Sequence, residues 1–235
     1  DNGDAPNNWW FSWNIGLVHF AAISSEIQGG DLNPTQWAWL EADLKKANEN
    51  RTQAPWIVVH AHKSIYCSCD GDCDDAATLF RAGEVQANGS YLYGYENLFY
   101  EYGVDLFLNG HEHNYERMYD IAPAEDGTYL AGVTTMSTTD MPATTYIVTG
   151  IGGGIEAHES FTRPKPNRTA FRTDAYSYSR MDVYNYTHLH WQQVECDSSE
   201  DPGNEGAVID DVWLVQHEHG SFARATKATA TKTAV

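Results

Sequence analysis

Val104-Asp105-Leu106-Phe107-Leu108-Asn109-Gly110-His111-Glu112-His113 joins an apolar segment to a pair of histidines. A short apolar run stops at Asn109-Gly110, and two histidines spaced by one residue follow at once. The run has the length of a strand, and it predicts one that delivers imidazoles at its C-terminal end. The same pattern occurs upstream, where the β-branched run Trp56-Ile57-Val58-Val59 leads directly into His60-Ala61-His62.

Working outward, Tyr95, Leu98, Phe99 and Tyr102 repeat at helical spacing before Gly103, which predicts a helix stopped at that glycine. Asn33-Pro34-Thr35 opens an earlier helix, with Trp37, Leu40 and Leu44 on its apolar face and Glu41, Asp43 and Lys45 on the others. Trp9 to Ser25 reads as a buried strand. The order strand, helix, strand, helix, strand predicts an α/β fold whose parallel strands gather ligands beyond their C-terminal ends. From Tyr119 to Thr145 the chain reads as a long loop or a hairpin insertion. Tyr146 to Thr149, Met181 to Val194 and Val208 to Val215 read as later strands, the last two antiparallel. Residues 1–216 are read as the ordered part and 217–235 as a disordered tail, with His217 and His219 solvated.

The chain has 235 residues, with 14 Lys+Arg against 33 Asp+Glu, a net charge of −19. That charge repels nucleic acid and anionic membranes, so neither is expected as a partner. A phosphorylated substrate requires bound cations to invert the local field. No run reaches the roughly 18 apolar residues of a membrane span, and Asp1-Asn2-Gly3-Asp4 resembles neither a signal peptide nor an anchor. Asn-X-Ser/Thr sites at Asn50, Asn88, Asn167 and Asn185, with few lysines, point to a secreted, extracellular glycoprotein. Cys67, Cys69 and Cys73 share one loop and Cys196 stands apart; a local disulfide is expected there rather than zinc, because no second Cys pair occurs at zinc spacing.

His111 and His113 can project to one side of an extended turn and reach two adjacent cations, and His62 arrives at the same sheet edge. All three are read as metal ligands. His60 points back toward the sheet and is read as packing. Glu112 is read as facing outward between two ligands, and His188 and His190 as structural.

Val59-His60-Ala61-His62, together with Gly110-His111-Glu112-His113-Asn114-Tyr115-Glu116-Arg117, resembles the histidine motifs of purple acid phosphatases. Trp9 to Glu26, Pro55-Trp56, Tyr66-Cys67-Ser68, Tyr102 to Asp105, Tyr146 to Gly153, Ala170-Phe171-Arg172 and Thr187 to Trp191 resemble the same family in order. The resemblance implies part of a four-layer α/β/β/α metallophosphoesterase sandwich with its N-terminal half missing. It also implies an Fe(III) beside a divalent Fe, Zn or Mn. On that likeness His62 and His111 hold the divalent ion and His113 the ferric one. The cations bind phosphate oxygens and acidify the attacking water.

The family's upstream motifs, which supply the bridging Asp, the iron-bound Tyr and a catalytic His, do not occur in these residues. The complete protein is therefore expected to hydrolyse phosphate monoesters. This chain is expected to hold only part of the site, with no catalytic residue of its own and no activity alone. Its exposed edges imply the missing N-terminal half or another covering chain as partner. Two further readings are a non-catalytic extracellular binding or assembly module that kept the fold, and a phosphodiesterase or nucleotidase of the same superfamily.

Overall fold

The computed structural model describes residues 8–26, 33–69, 76–123, 132–133, 136–153, 157–196, 203 and 205–223. Along the chain run β1 (Phe11–Ile15), β2 (Val18–Ala22), α1 (Pro34–Glu49), β3 (Trp56–His60), α2 (Ala76–Ala82), β4 (Gly83–Val85), β5 (Tyr91–Tyr93) and α3 (Tyr95–Tyr102). Then come β6 (Leu106–Asn109), β7 (Tyr115–Ala122), β8 (Gly132–Val133), β9 (Thr144–Thr149), β10 (Thr169–Thr173), β11 (Ser177–Val183), β12 (His188–Glu195) and β13 (Val208–Val215).

The main sheet is ordered β1-β2-β3-β6-β9-β7-β10, with β8 beside β7. Its four central strands, β2, β3, β6 and β9, are mutually parallel. These carry the continuous apolar runs, because both of their faces are covered. On β3 the alternation is complete: Ile57 and Val59 face one core with Leu40, Leu44, Leu98 and Phe99 of the helices. Trp56 and Val58 face the other, with Leu189, Trp191, Val212 and Leu214 of the antiparallel sheet β11-β12-β13. Helices, large sheet and small sheet thus form three layers of a mixed α/β fold.

α1 starts as its sequence predicts. The Asn33 side chain accepts hydrogen bonds from the Thr35 and Gln36 amides at 3.0 Å each, with Pro34 in the first turn. Asp43 departs from the expected solvent face. It is buried and accepts from Ser12 Oγ at 2.7 Å, and its other oxygen lies 2.8 Å from His19 Nε2. The cause is a second departure: Trp9 to Ser25 is a hairpin rather than one strand. β1 folds back on β2 in the register Phe11↔Ala22 to Ile15↔Val18 and brings Ser12 and His19 onto the helix flank. α3 ends as predicted at Gly103, a left-handed cap with φ 62°.

The segment read as a loop or hairpin insertion resolves in part as a hairpin, since β7 pairs with β8 through Ile121↔Val133 and Ala122↔Gly132. The small hairpin β4-β5 before α3 carried no sequence signal that was read. Of the later strands, Tyr146 to Thr149 and Val208 to Val215 form as expected, whereas Met181 to Val194, read as one strand, is a hairpin of β11 and β12. β7 is bound to the second sheet by a buried polar bridge: Arg117 donates to Asp210 through Nε at 2.7 Å and Nη2 at 2.9 Å. The Tyr115 hydroxyl donates to the same carboxylate at 2.8 Å and accepts from Trp191 Nε1 at 3.0 Å.

Residues 217–223, read with the tail, are packed. The His219 side chain is fully buried, against Trp56 and with Nδ1 3.4 Å from Asp105 Oδ1, which corrects its reading as solvated. Phe222 is buried beside Tyr100. His217 is exposed and pairs with Asp140 at 3.0 Å. The rest of the expected tail, 224–235, lies outside the described residues.

Candidate metal centre

β3 and β6 lie side by side in parallel, His60 opposite Leu108, so both chains leave the sheet at one edge. Pairing continues past the strand ends: the Ala61 amide donates to the Leu108 carbonyl at 3.1 Å. The His62 carbonyl then accepts from the amides of Gly110 at 3.1 Å and His111 at 2.9 Å. These bonds fix the two histidine-bearing turns backbone to backbone. The imidazoles meet above them, with His62 Nε2 3.0 Å from His111 Nδ1 and ring centroids 4.8 Å apart at 73°. His62 is exposed and His111 half-buried. Partial burial first, and the His111 charge next, lower the His62 pKa below its ordinary value.

Two imidazole nitrogens converging from different strands suit a borderline first-row cation. His113 does not join them in one cluster. Among the described residues the three histidines do not bring their donor atoms within 4.8 Å of one another, whereas Cys67, Cys69 and Glu112 do. His113 is held from another direction. Its amide donates to Glu159 Oε2 at 2.8 Å, and its carbonyl accepts from the Glu159 amide at 3.3 Å. His60 lies with its ring against Trp13, and burial lowers its pKa.

The turn after β9 closes on the histidine turn. The Gly150 amide donates to the Asn114 carbonyl at 3.1 Å, and a Cβ on Gly150 would stand 2.1 Å from the Glu112 carbonyl oxygen and 2.5 Å from that of Gly110. Only glycine permits that approach. The Gly150 to Gly154 run was visible in the sequence but not connected to the site.

Glu112 is corrected. It is 2% exposed, its carboxylate turned inward to Cys69 Sγ at 2.9 Å. An extended turn that sends two flanking side chains out sends the middle one in. Cys69 and Cys196 carry free thiols, while Cys67 is disulfide-bonded; Asp70 to Asp75, with Cys73, lie outside the described residues. Arg168 and Arg172 fasten this loop, donating to the Cys67 carbonyl at 2.6 Å and Ser68 Oγ at 2.8 Å. His190 stacks on Trp213 and pairs with Asp211, and the Thr187 hydroxyl lies 2.7 Å from His188 Nδ1, so neither histidine reaches the centre. A cleft lined by Asp140, Met141, Gln216 and Phe222 opens near the other edge of the sheet and contains none of the three histidines.

Comparison with known proteins accounts for this arrangement. The model of the calcineurin-like phosphoesterase family matches residues 6–115, and that of iron/zinc purple acid phosphatase-like protein C matches residues 143–211. Successive parts of the chain thus match the calcineurin-like phosphoesterase family and the purple acid phosphatase C-terminal family. Acid phosphatase type 7 of Danio rerio is 39% identical over 225 residues, covering 91% of this chain and 48% of that protein. Acid phosphatase type 7 of Homo sapiens is 38% identical over 213 residues, covering 88% and 46%. The chain therefore spans about half the length of the curated relatives it matches. The purple acid phosphatase PPD1 from yellow lupin (Lupinus luteus) seeds superimposes with a TM-score of 0.68 at 20% identity, covering 90% of this chain and 34% of that one. That likeness shows a shared metallophosphoesterase fold.

Proposed function

We propose that the protein hydrolyses phosphate monoesters at a binuclear metal centre and that this chain supplies the histidine side of it. His62 and His111 hold the divalent ion (Fe, Zn or Mn), and His113 holds Fe(III). The observation that carries the reading is the 3.0 Å approach of His62 Nε2 and His111 Nδ1 from two adjacent strand ends. The bound cations supply the positive charge that a chain of net charge −19 otherwise lacks for phosphate, and the acidity of the attacking water. The chain's own part is positional. His111 is locked by its amide to the His62 carbonyl, and the His113 backbone is locked by Glu159.

Ligands from outside these residues complete the centre, from an N-terminal half or a covering chain. Edge strand β1 fits such a neighbour: Trp9, just before it, and Ile15 at its end are 60% and 63% exposed. All four glycosylation sites, Asn50, Asn88, Asn167 and Asn185, are exposed, which supports a secreted, extracellular glycoprotein. Among the described residues no helix is long and apolar enough to cross a membrane.

The test compares p-nitrophenyl phosphate with bis-p-nitrophenyl phosphate. The chain expressed with the preceding coding sequence is expected to release nitrophenol from the monoester, and the 235-residue chain alone to release none. Preference for the diester would overturn the monoesterase reading, and full turnover by the chain alone would overturn the shared site.

A further inference from the structure

The loop after His62 and the turn carrying His111 and His113 meet a second time, inside the protein. Glu112 Oε2 lies 2.9 Å from the sulfur of Cys69, which is fully buried. The Cys67 sulfur lies 3.8 Å from Glu112 Oε1. These three side chains have the composition of a small metal site. The disulfide on Cys67 removes it as a thiolate ligand. What remains is one buried thiol donating to one buried carboxylate.

We propose that Glu112 and Cys69 are positioning residues of the metal centre, whose hydrogen bond joins the two histidine-bearing loops and keeps His111 and His113 turned outward. This rests on the reading of His62, His111 and His113 as ligands. Side chains alternate along an extended turn, so anchoring Glu112 inward fixes the direction of both neighbours. A thiol is a weak donor, but a carboxylate acceptor strengthens the bond, and the low-dielectric pocket strengthens it further. Burial raises the Cys69 pKa far above its ordinary value, so the sulfur keeps its proton. Arg168 and Arg172 hold the neighbouring backbone and side chain of the same loop, so Cys69 stands on a fixed support. Neither group touches an imidazole in the contacts described above; both act through the backbone of the turn, and the effect expected is of the order that outer partners of metal ligands have, about 10–100-fold in affinity.

The test is titration with Co(II) of the metal-free protein expressed with its preceding coding sequence, read by visible d–d absorption, with circular dichroism and a thermal melt on each metal-free variant. Cys69→Ala removes the donor. Glu112→Met removes the acceptor, fills similar volume with apolar atoms and serves if Cys69→Ala does not fold. Each is expected to weaken Co(II) binding by about 10–100-fold while circular dichroism stays native. Cys69→Ser, which restores a donor, is expected to bind close to wild type. Folded Cys69→Ala and Glu112→Met chains that bind Co(II) as tightly as wild type would overturn the proposal. So would a Cys69→Ser chain as weak as Cys69→Ala, which would assign the effect to packing alone. His111→Ala separates the two levels. Co(II) binding unchanged in that variant would refute the ligand reading itself.

Discussion

Removing the Asp210 carboxylate should cost more stability than any other single polar truncation on the second sheet. Asp210 accepts two hydrogen bonds from Arg117, at 2.7 and 2.9 Å, and a third from Tyr115 at 2.8 Å. Both members of the ion pair are 8% exposed. In Asp210→Ala the guanidinium stays buried without its counter-charge, and burial then opposes its charged form with nothing to offset it. Breaking a buried pair from one side costs about 3–5 kcal/mol. For a chain of this size 1 kcal/mol moves the melting temperature by roughly 2–4 °C, so a fall of about 6–20 °C is expected. Near-UV circular dichroism measures it, since Tyr115 and Trp191 belong to the same bridge. The double variant Arg117→Met with Asp210→Leu should recover most of the loss, because no unpaired charge is left buried. A single-variant loss below about 1 kcal/mol, the range of exposed pairs, would refute the reasoning.

Gly150→Ala places a methyl 2.1 Å from the Glu112 carbonyl oxygen; it should weaken Co(II) binding at His62 and His111 at least tenfold in the titration above. Asp105 has its pKa lowered below the ordinary carboxylate value, burial opposing the shift and the Arg51 charge overcoming it. Its stabilisation is therefore fully present above its unfolded pKa of about 3.9 and is lost as pH falls below that toward the folded value. Accordingly, Asp105→Asn should lower the melting temperature at pH 7, with the gap from wild type narrowing in melts below pH 4. Secreted expression followed by peptide N-glycosidase should lower the apparent mass in steps, and each Asn→Gln change at 50, 88, 167 or 185 should remove one step.

The parallel core was legible because its strands are short apolar runs at a length only strands use, and because each ends in residues that cannot continue it. Trp56 to Val59 and Leu106 to Leu108 divide their side chains between two cores in strict alternation, while Val104, before β6 begins, joins the helix-side core. His62 and His111 were legible for the same reason: both follow such runs directly, and parallel pairing puts the two ends together. Contacts made across long sequence separations were not. Asp43 reads as a solvent-facing helix residue until the β1-β2 hairpin brings Ser12 and His19 against it. Glu112 reads as an exposed acid until the loop after His62 brings Cys69 to its carboxylate. His219 reads as tail because no local pattern reveals a partner as distant as Asp105. In each case the local pattern gave the side chain's direction relative to its own element, and another element decided whether water stood there.

The ligand assignment itself is tested most directly by counting metals in the protein expressed with its preceding coding sequence. Inductively coupled plasma mass spectrometry on wild type, His62→Ala, His111→Ala and His113→Ala gives iron and divalent metal per chain. The account predicts that His62→Ala and His111→Ala each lose the divalent ion and keep iron, while His113→Ala loses iron. Metal content unchanged in all three variants, or iron retained in His113→Ala and lost in His62→Ala, would contradict it.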